Sequence, residues 1–152
     1  MSMRNAPSSI FAAVAIVSAL LSHPTAQAHL GGNEASVYAD GADWQAPAVA
    51  VRGIRFTVFT HSTPEGLKVR QFVSLTGQVF AVAWDGPVLP DMARLLGAHF
   101  PLYQNALQQR KRNVRVDTPT LSLESGGMMR AFVGRAYLPD QLPVGVTAVD
   151  IL

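Results

Sequence analysis

The most regular alternation of apolar and polar residues in this chain lies between Leu67 and Leu75. A Thr76-Gly77 turn separates it from a second stretch, Gln78–Trp84, which is apolar on both faces. A period of two predicts a β-strand, and a strand that is apolar on both faces belongs inside a sheet covered on each side. Trp84 is therefore expected to lie in the core.

A helix is predicted next, beginning near Pro90. Its apolar residues recur at steps of three and four and form one stripe. Gly97 and Pro101 interrupt this stripe, and a proline within a helix removes a backbone hydrogen bond. We therefore expect one long, kinked helix, or two shorter helices. The stripe consists of Met92, Leu95, Leu96, His99, Phe100, Tyr103 and Leu107.

Three further strands are predicted from alternation, at Ile54–Phe59, Thr120–Glu124 and Met128–Tyr137. Gly126-Gly127 is typical of a two-residue hairpin turn. The order β-β-β-α-β-β predicts an α+β fold. We expect an antiparallel sheet of about five strands with one long, kinked helix packed on one face.

Residues 1–28 are predicted to be a secretory signal peptide. Arg4 precedes an apolar run, Ile10–Leu21, and Ala26-Gln27-Ala28 offers small residues at the cleavage positions. The run is shorter than the roughly 20 residues that cross a bilayer as a helix. Cleavage after Ala28 is expected, with an uncleaved anchor as the alternative. The mature chain contains no second apolar span, and its expected location is the periplasm or, alternatively, the extracellular space.

Two regions follow this leader. Residues 29–53 are rich in alanine and glycine and show little periodicity, which predicts an extended, partly ordered arm. Within the arm, Ser36-Val37-Tyr38 is a candidate short strand and Trp44 a candidate anchor against the core. Residues 54–152 are predicted to form a single α+β domain, because a chain of this length has little room for a second core.

Composition limits the possible chemistry. The chain contains no cysteine, which excludes disulfides, thiol nucleophiles, iron–sulfur clusters and cysteine-based zinc sites. Its formal net charge is +2, so we expect no nucleic-acid partner. An envelope or protein partner stays open.

His29 is the candidate metal ligand. After cleavage behind Ala28, its α-amine and imidazole would lie on one residue and could chelate Cu(II), which prefers nitrogen ligands in tetragonal geometry. A second imidazole would have to come from His61, expected to be solvated, or from His99, expected to pack on the helix stripe. The alternative is that His29 is simply the first residue of the arm. No other cofactor is expected.

The sequence offers no set of catalytic residues. It lacks a Gly-x-Ser-x-Gly motif, and Asp91 is better explained by the positive end of a helix than by acid catalysis. Arg70, Arg130 and Arg135 could share one side of the sheet and bind an anion. Solvated strand arginines are the alternative.

Several stretches together resemble one known family. The most specific is Val79-Phe80-Ala81-Val82-Ala83-Trp84 with Gly86-Pro87. The others are Leu30-Gly31-Gly32, Val69-Arg70, Phe72-Val73-Ser74, Gly77, Pro90-Asp91, Leu95-Leu96-Gly97, Phe100, Glu124-Ser125-Gly126-Gly127-Met128-Met129-Arg130-Ala131-Phe132 and Gly134-Arg135-Ala136-Tyr137. On these residues the chain resembles the domain of unknown function 2844 family of small exported bacterial proteins. The resemblance implies export and a single domain, and it supplies no activity, substrate or site.

These observations favour a non-enzymatic exported module, either a periplasmic binding protein or an envelope-accessory protein. The alternative is a copper-binding protein or an enzyme that uses His29. Whether the chain is an enzyme stays open. A binding module should have a concave apolar or arginine-lined surface beside the sheet.

Overall fold

The computed structural model describes residues 29–109 and 113–152, so the predicted signal peptide lies outside the described residues. Within them, seven antiparallel strands form one sheet in the order β1-β2-β3-β4-β7-β6-β5. In chain order the strands are β1 (Val49–Arg52), β2 (Phe56–Ser62), β3 (Lys68–Ser74), β4 (Val79–Gly86), β5 (Val114–Asp117), β6 (Ser122–Met128) and β7 (Ala131–Tyr137).

The helices are α1 (Glu34–Asp43), α2 (Met92–Leu96) and α3 (Phe100–Gln109). Both α1 and α2 begin at a capping side chain: Asn33 accepts from the backbone N–H of Ser36 at 3.0 Å, and Asp91 from that of Arg94 at 3.1 Å. Asp91 therefore lies at the positive end of α2, as expected, and serves as its N-cap. Among the described residues, no helix has the length and apolarity needed to cross a membrane.

One face of the sheet, the helix face, packs against all three helices. Trp84 of β4 is fully buried there, and it lies against Gly134 of β7, where a Cβ atom would come within 2.3 Å of the indole ring. Tyr38 of α1 meets Phe59 of β2 edge to face at 5.5 Å. Most of the buried apolar side chains belong to this face, so it carries the main core.

The opposite face, the tail face, is covered only in part. The last residues, 138–152, which we call the tail, cross it and bury Val146 and Ile151. These two pack with Phe72 and Phe80 in a second, smaller apolar cluster. The remainder of the tail face is open.

The predicted fold class is wrong, because the chain forms a mostly β structure with seven strands, not an α+β fold with about five. The two strands that the prediction missed, β1 and β5, lie at the two edges of the sheet. Each has only four residues, and all four residues of β1 are exposed. With no buried face, β1 gives no alternation to recognise, and β5, in which Val114 and Val116 alternate with exposed residues, is too short to show a clear period.

The single long, kinked helix is also wrong. The helical segment from Met92 to Gln109 is interrupted by a 3-10 turn at Gly97–His99, which corresponds to the alternative of two shorter helices. Gly97 has φ +52°, a conformation that favours glycine. Pro101 is the second residue of α3, where its missing N–H is not needed. The break therefore precedes the proline.

The segment predicted as an extended arm, residues 29–53, instead contains α1 and β1. Ser36-Val37-Tyr38 lies within α1 and is not a strand. The side of α1 that faces the sheet carries mostly small and polar residues, Ser36, Val37, Asp40 and Gly41, so it has no apolar stripe. Trp44 does pack against the core, as predicted.

The predicted hairpin turn at Gly126-Gly127 is wrong too. Both glycines lie within β6, and the turn consists of Met129 and Arg130, with Arg130 at φ +64°. A Cβ atom on Gly127 would come within 2.4 Å of the Ala131 carbonyl oxygen. That glycine therefore permits close approach of the strands instead of forming the turn.

Candidate functional site

A row of mostly charged residues crosses the tail face from β3 to β5. Its members are direct cross-strand partners in the order Arg70, Ala83, Arg135, Glu124 and Arg115. Strand side chains alternate between the two faces. Since Trp84 points to the helix face, Ala83 and its partners in the register point to the tail face. We call these five residues the arginine row.

Glu124 connects two arginines of this row. Its Oε2 accepts a hydrogen bond from Nη2 of Arg135 at 3.2 Å, and its Oε1 lies 3.4 Å from Nη1 of Arg115. Both carboxylate oxygens therefore face a guanidinium, which is the arrangement that stabilises directly opposed charges across strands.

Arg70 has a different environment. Its Nη2 donates to Oδ1 of Asp85, two residues along β4 from Ala83, at 2.8 Å. Its Nε is buried and has no hydrogen-bond partner among the described residues. Between Arg70 and Arg135 the row has only the methyl group of Ala83.

The arginine row lines an open cavity of about 780 Å³. Three cations and one carboxylate belong to its lining, all of them from the row. The other walls are mainly apolar or glycine, including Val133, Ile151 and Leu152. A concave, mainly apolar surface with a few polar groups is the usual form of a small-molecule site.

The tail supplies one wall of this cavity, and Arg135 holds the tail in place. Nη1 of Arg135 donates to the carbonyl oxygen of Ala148 at 2.6 Å and lies 3.4 Å from that of Ile151. The backbone N–H and hydroxyl of Thr147 donate to Asp150, which lowers the pKa of that carboxyl. These contacts shape the turn that Arg135 binds.

Of the three arginines that the sequence suggested for an anion site, the structure brings two together. Arg70 and Arg135 line the cavity, whereas Arg130 is exposed at the turn between β6 and β7 and is not part of the lining. Arg115 and Glu124 were missed. The sequence carries a weak indication of Arg115, because it alternates with Val114 and Val116 in β5.

The histidines are placed differently from our expectation. The His29 ring packs against Gly97, where an added Cβ atom would lie 2.5 Å from it. Burial and electrostatic repulsion from His29 lower the pKa of His99, although the charge of Asp140 opposes this. His61, predicted to be solvated, is fully buried. The structure thus brings His29 near His99 and keeps His61 in the core.

His61 belongs to a buried polar network between α1 and the sheet. Its Nδ1 lies 2.8 Å from the Ala46 carbonyl oxygen, and its Nε2 lies 3.1 Å from Oε1 of Gln71. Nε2 of Gln71 donates to Oδ2 of Asp40 at 3.2 Å, and Nε of Arg94 donates to Oδ1 of Asp40 at 3.1 Å. Burial raises the pKa of Asp40, although Arg94 opposes this by attraction.

The hydrogen-bond roles in this network depend on one another. With Gln71 donating to Asp40, both ring nitrogens of His61 face oxygen acceptors. If the Gln71 amide is turned over, its oxygen matches a protonated Asp40 and its NH2 group donates to Nε2 of His61. Both arrangements pair the polar atoms of all three side chains, which is what a buried network requires.

No group of three His, Cys, Asp or Glu side chains able to share a metal ion occurs in the part of the chain that the structure describes. The arginine row and its cavity are the candidate site that the described residues offer instead.

The fold and this site define a class of protein: an antiparallel seven-stranded sheet with helices on one face and an arginine-lined cavity on the other. A family model described as a protein of unknown function (DUF2844) matches residues 26–151. The chain belongs to this family, as the Val79–Trp84 stretch indicated. No curated protein and no solved structure matches the chain.

Proposed function

We propose that this protein is a non-enzymatic exported module that binds a small organic molecule in the arginine-lined cavity. The observation that carries the proposal is the arginine row, which places three guanidinium groups in one open cavity of about 780 Å³. This volume falls in the range of small-molecule pockets, roughly 300–1,000 Å³.

The groups in the cavity suit binding better than catalysis. Arginine stays protonated at all ordinary pH values, so it serves as a fixed cation and not as an acid or base. Both oxygens of Glu124, the acid in the lining, face arginines. A carboxylate held between two guanidinium groups is a poor general base, because their charges stabilise its ionised form.

The export component rests on residues 1–28, which have the pattern of a cleavable leader. We propose a periplasmic or envelope location. Expression in a bacterial host, followed by fractionation and amino-terminal sequencing, tests it. A mature chain beginning at His29 in the periplasmic fraction is expected, whereas an uncleaved cytoplasmic chain would contradict export.

Fragment binding followed by NMR tests the binding component. We expect some members of a small set of neutral and charged aromatic fragments to shift backbone amides around the cavity, such as those of Gly126 and Gly134. Val133 is 58% exposed and lines the cavity, so Val133→Trp should fill space and weaken binding. Val144→Trp is the matched control, because Val144 is 98% exposed and lies outside the lining. If no fragment shifts the cavity amides, the binding proposal is wrong.

A copper-binding function is the second candidate, and one observation favours it. His29 lies near enough to His99 for its charge to lower the pKa of His99. A mature chain that begins at His29 would therefore have an α-amine and two imidazoles in the same region, and nitrogen ligands of this kind suit Cu(II). The same site could support an enzyme that uses His29.

Titration of the mature protein with Cu(II) tests this candidate. We expect His29→Ala to abolish tight binding and His99→Ala to weaken it. Without metal, His29→Ala should raise the pKa of His99, because it removes the repulsion, and an NMR titration of the imidazole protons measures this. A mature terminus other than His29, or equal Cu(II) affinity of wild type and His29→Ala, would exclude the copper function.

A further inference from the structure

We infer that the cavity receives the carboxylate group of a monoanionic ligand in the space above Ala83, between Arg70 and Arg135. We call this space the Ala83 gap. The inference rests on the proposed binding function and names the chemical class of the ligand.

The arginine row contains two equivalent positions that differ in the residue they carry. Adjacent strands are about 4.8 Å apart, so the Cα atom of Arg135 is about 10 Å from that of Arg115 on one side and from that of Arg70 on the other. At the midpoint toward Arg115 the chain places Glu124, whose carboxylate contacts both arginines. At the midpoint toward Arg70 it places Ala83. The row therefore has its own carboxylate in one position and only a methyl group, at the wall of the cavity, in the other.

Arg70 has hydrogen-bond donors that no carboxylate of the described residues occupies. A guanidinium group has five N–H donors in a planar fork that fits a carboxylate. Arg70 lines the cavity, and among the described residues only its Nη2 has a carboxylate partner, Asp85. Its Nε is buried without a partner there. A ligand oxygen in the Ala83 gap would be within reach of this side chain.

The side-chain charges around the Ala83 gap favour a monoanion. Counting side chains only, the arginine row and Asp85 together contain three arginines against two carboxylates, Glu124 and Asp85. One additional negative charge neutralises this group, whereas a phosphate dianion would leave an excess. Val133 and Ile151 in the walls suit an apolar body. The ligand class is therefore a monocarboxylic acid with an aliphatic or aromatic body.

Calorimetric titration with matched probes tests the class, and NMR locates the binding. Benzoate and hexanoate should bind and shift the amides of Ala83 and Gly134. Their neutral counterparts, benzamide and hexanamide, should bind about tenfold more weakly, since a charge-assisted hydrogen bond contributes about 1.5–3 kcal/mol and 1.4 kcal/mol is tenfold. Phenyl phosphate should bind less tightly than benzoate. Carboxylate affinity should fall as salt is added.

Two arginine variants locate the charge that matters. Arg70→Met should weaken benzoate binding about tenfold, because it removes one side of the Ala83 gap. Arg115→Met is the matched control: it removes the same charge from the same cavity, but beyond Glu124, and benzoate affinity should change less than about threefold. Equal losses in the two variants would show a general electrostatic effect and would overturn the inference.

A second pair of variants places a longer side chain directly in the Ala83 gap. Ala83→Glu should abolish benzoate binding by placing the chain's own carboxylate between the arginines. Ala83→Gln has a side chain of similar volume without the charge. Ala83 is only 2% exposed, so both variants need a check of folding by circular dichroism, and the arginine pair decides the question if they do not fold.

The outcomes separate the two proposals. If benzamide binds at the cavity amides as tightly as benzoate, the carboxylate inference is wrong and the binding function stands. If phenyl phosphate binds more tightly than benzoate, the monoanion assignment is wrong. If no probe shifts the cavity amides, both the inference and the proposed function are wrong.

Discussion

Gln71 and Arg70 are neighbours on β3, yet they point to opposite faces of the sheet and belong to two different polar groups. On the helix face, Gln71 is fully buried and links Asp40 to His61. On the tail face, Arg70 is partly exposed, paired with Asp85, and has a buried Nε without a partner among the described residues. We call the first group closed, because its side chains are hydrogen-bonded to one another, and the second open, because one of its donors has no partner among the described residues.

Burial explains the difference. A polar atom removed from water must find a partner in the protein, because an unsatisfied group costs free energy that folding would have to supply. The Asp40–Gln71–His61 network therefore has its hydrogen bonds matched and acts as structure. The arginines at the cavity are partly exposed and can use water as a hydrogen-bond partner, and the buried Nε of Arg70 is the exception, because it has no partner among the described residues. Such groups are available to a ligand.

The largest effect should come from the apolar core of the helix face. Trp84→Ala should lower the free energy of unfolding by about 3–5 kcal/mol, because the indole is fully buried over Gly134. Val133→Ala, on the open part of the tail face, should change it by less than about 0.5 kcal/mol. Urea denaturation measures both. A melting temperature that Trp84→Ala leaves unchanged would contradict the assignment of the main core to the helix face.

The sequence predicted the interior of this sheet better than its edges. Strand β4 was recognisable, because Val79–Trp84 is apolar on both faces and its burial matches that pattern. Helix α1 was not, since its buried side includes Ser36, Asp40 and Gly41, which are buried by polar contacts and close packing. An apolar period is the main sequence indication of a helix, and here the buried side has none.

The candidate site was predictable only in part, because it depends on strand pairing. The sequence grouped Arg70 with Arg135, but their connection runs through the register of β3, β4 and β7, and that register shifts between Phe72 and Val73. Arg115 lies on the edge strand that was missed. Residues that meet across a sheet are far apart in the chain, and no local pattern specifies which partners they have.

Breaking the closed network should have the next largest effect. Gln71→Leu keeps a side chain of similar size but leaves Asp40 and His61 each without a hydrogen bond. Each orphaned group costs about 1–3 kcal/mol, so a total loss of at least about 2 kcal/mol is expected. Arg70→Met on the opposite face should cost less than about 1 kcal/mol. If the two variants lose equal stability in denaturation experiments, the contrast between closed and open groups is wrong.

The closed network should also make stability depend on pH. Burial raises the pKa of Asp40, so the folded state holds this proton more tightly than the unfolded state does. The contribution of Asp40 is fully present below its unfolded pKa, about 3.9, and is lost as pH rises through the folded value. Denaturation of wild type and Asp40→Asn from pH 4 upward measures it. The stability of wild type relative to the variant should fall as pH rises, and a rise would contradict the sign of the shift.

A small effect on stability, and a direct test of the open group, should come from Glu124→Ala. The carboxylate is half-exposed, so its ion pairs with Arg135 and Arg115 should contribute less than about 1 kcal/mol. With only a methyl group at this position, the space between these arginines resembles the Ala83 gap, since two guanidinium groups then flank an alanine. Calorimetry should show tighter benzoate binding or a second benzoate equivalent in the variant. Unchanged affinity and stoichiometry would mean that the two positions are not equivalent, and that the pairing of Glu124 says nothing about what occupies the space above Ala83.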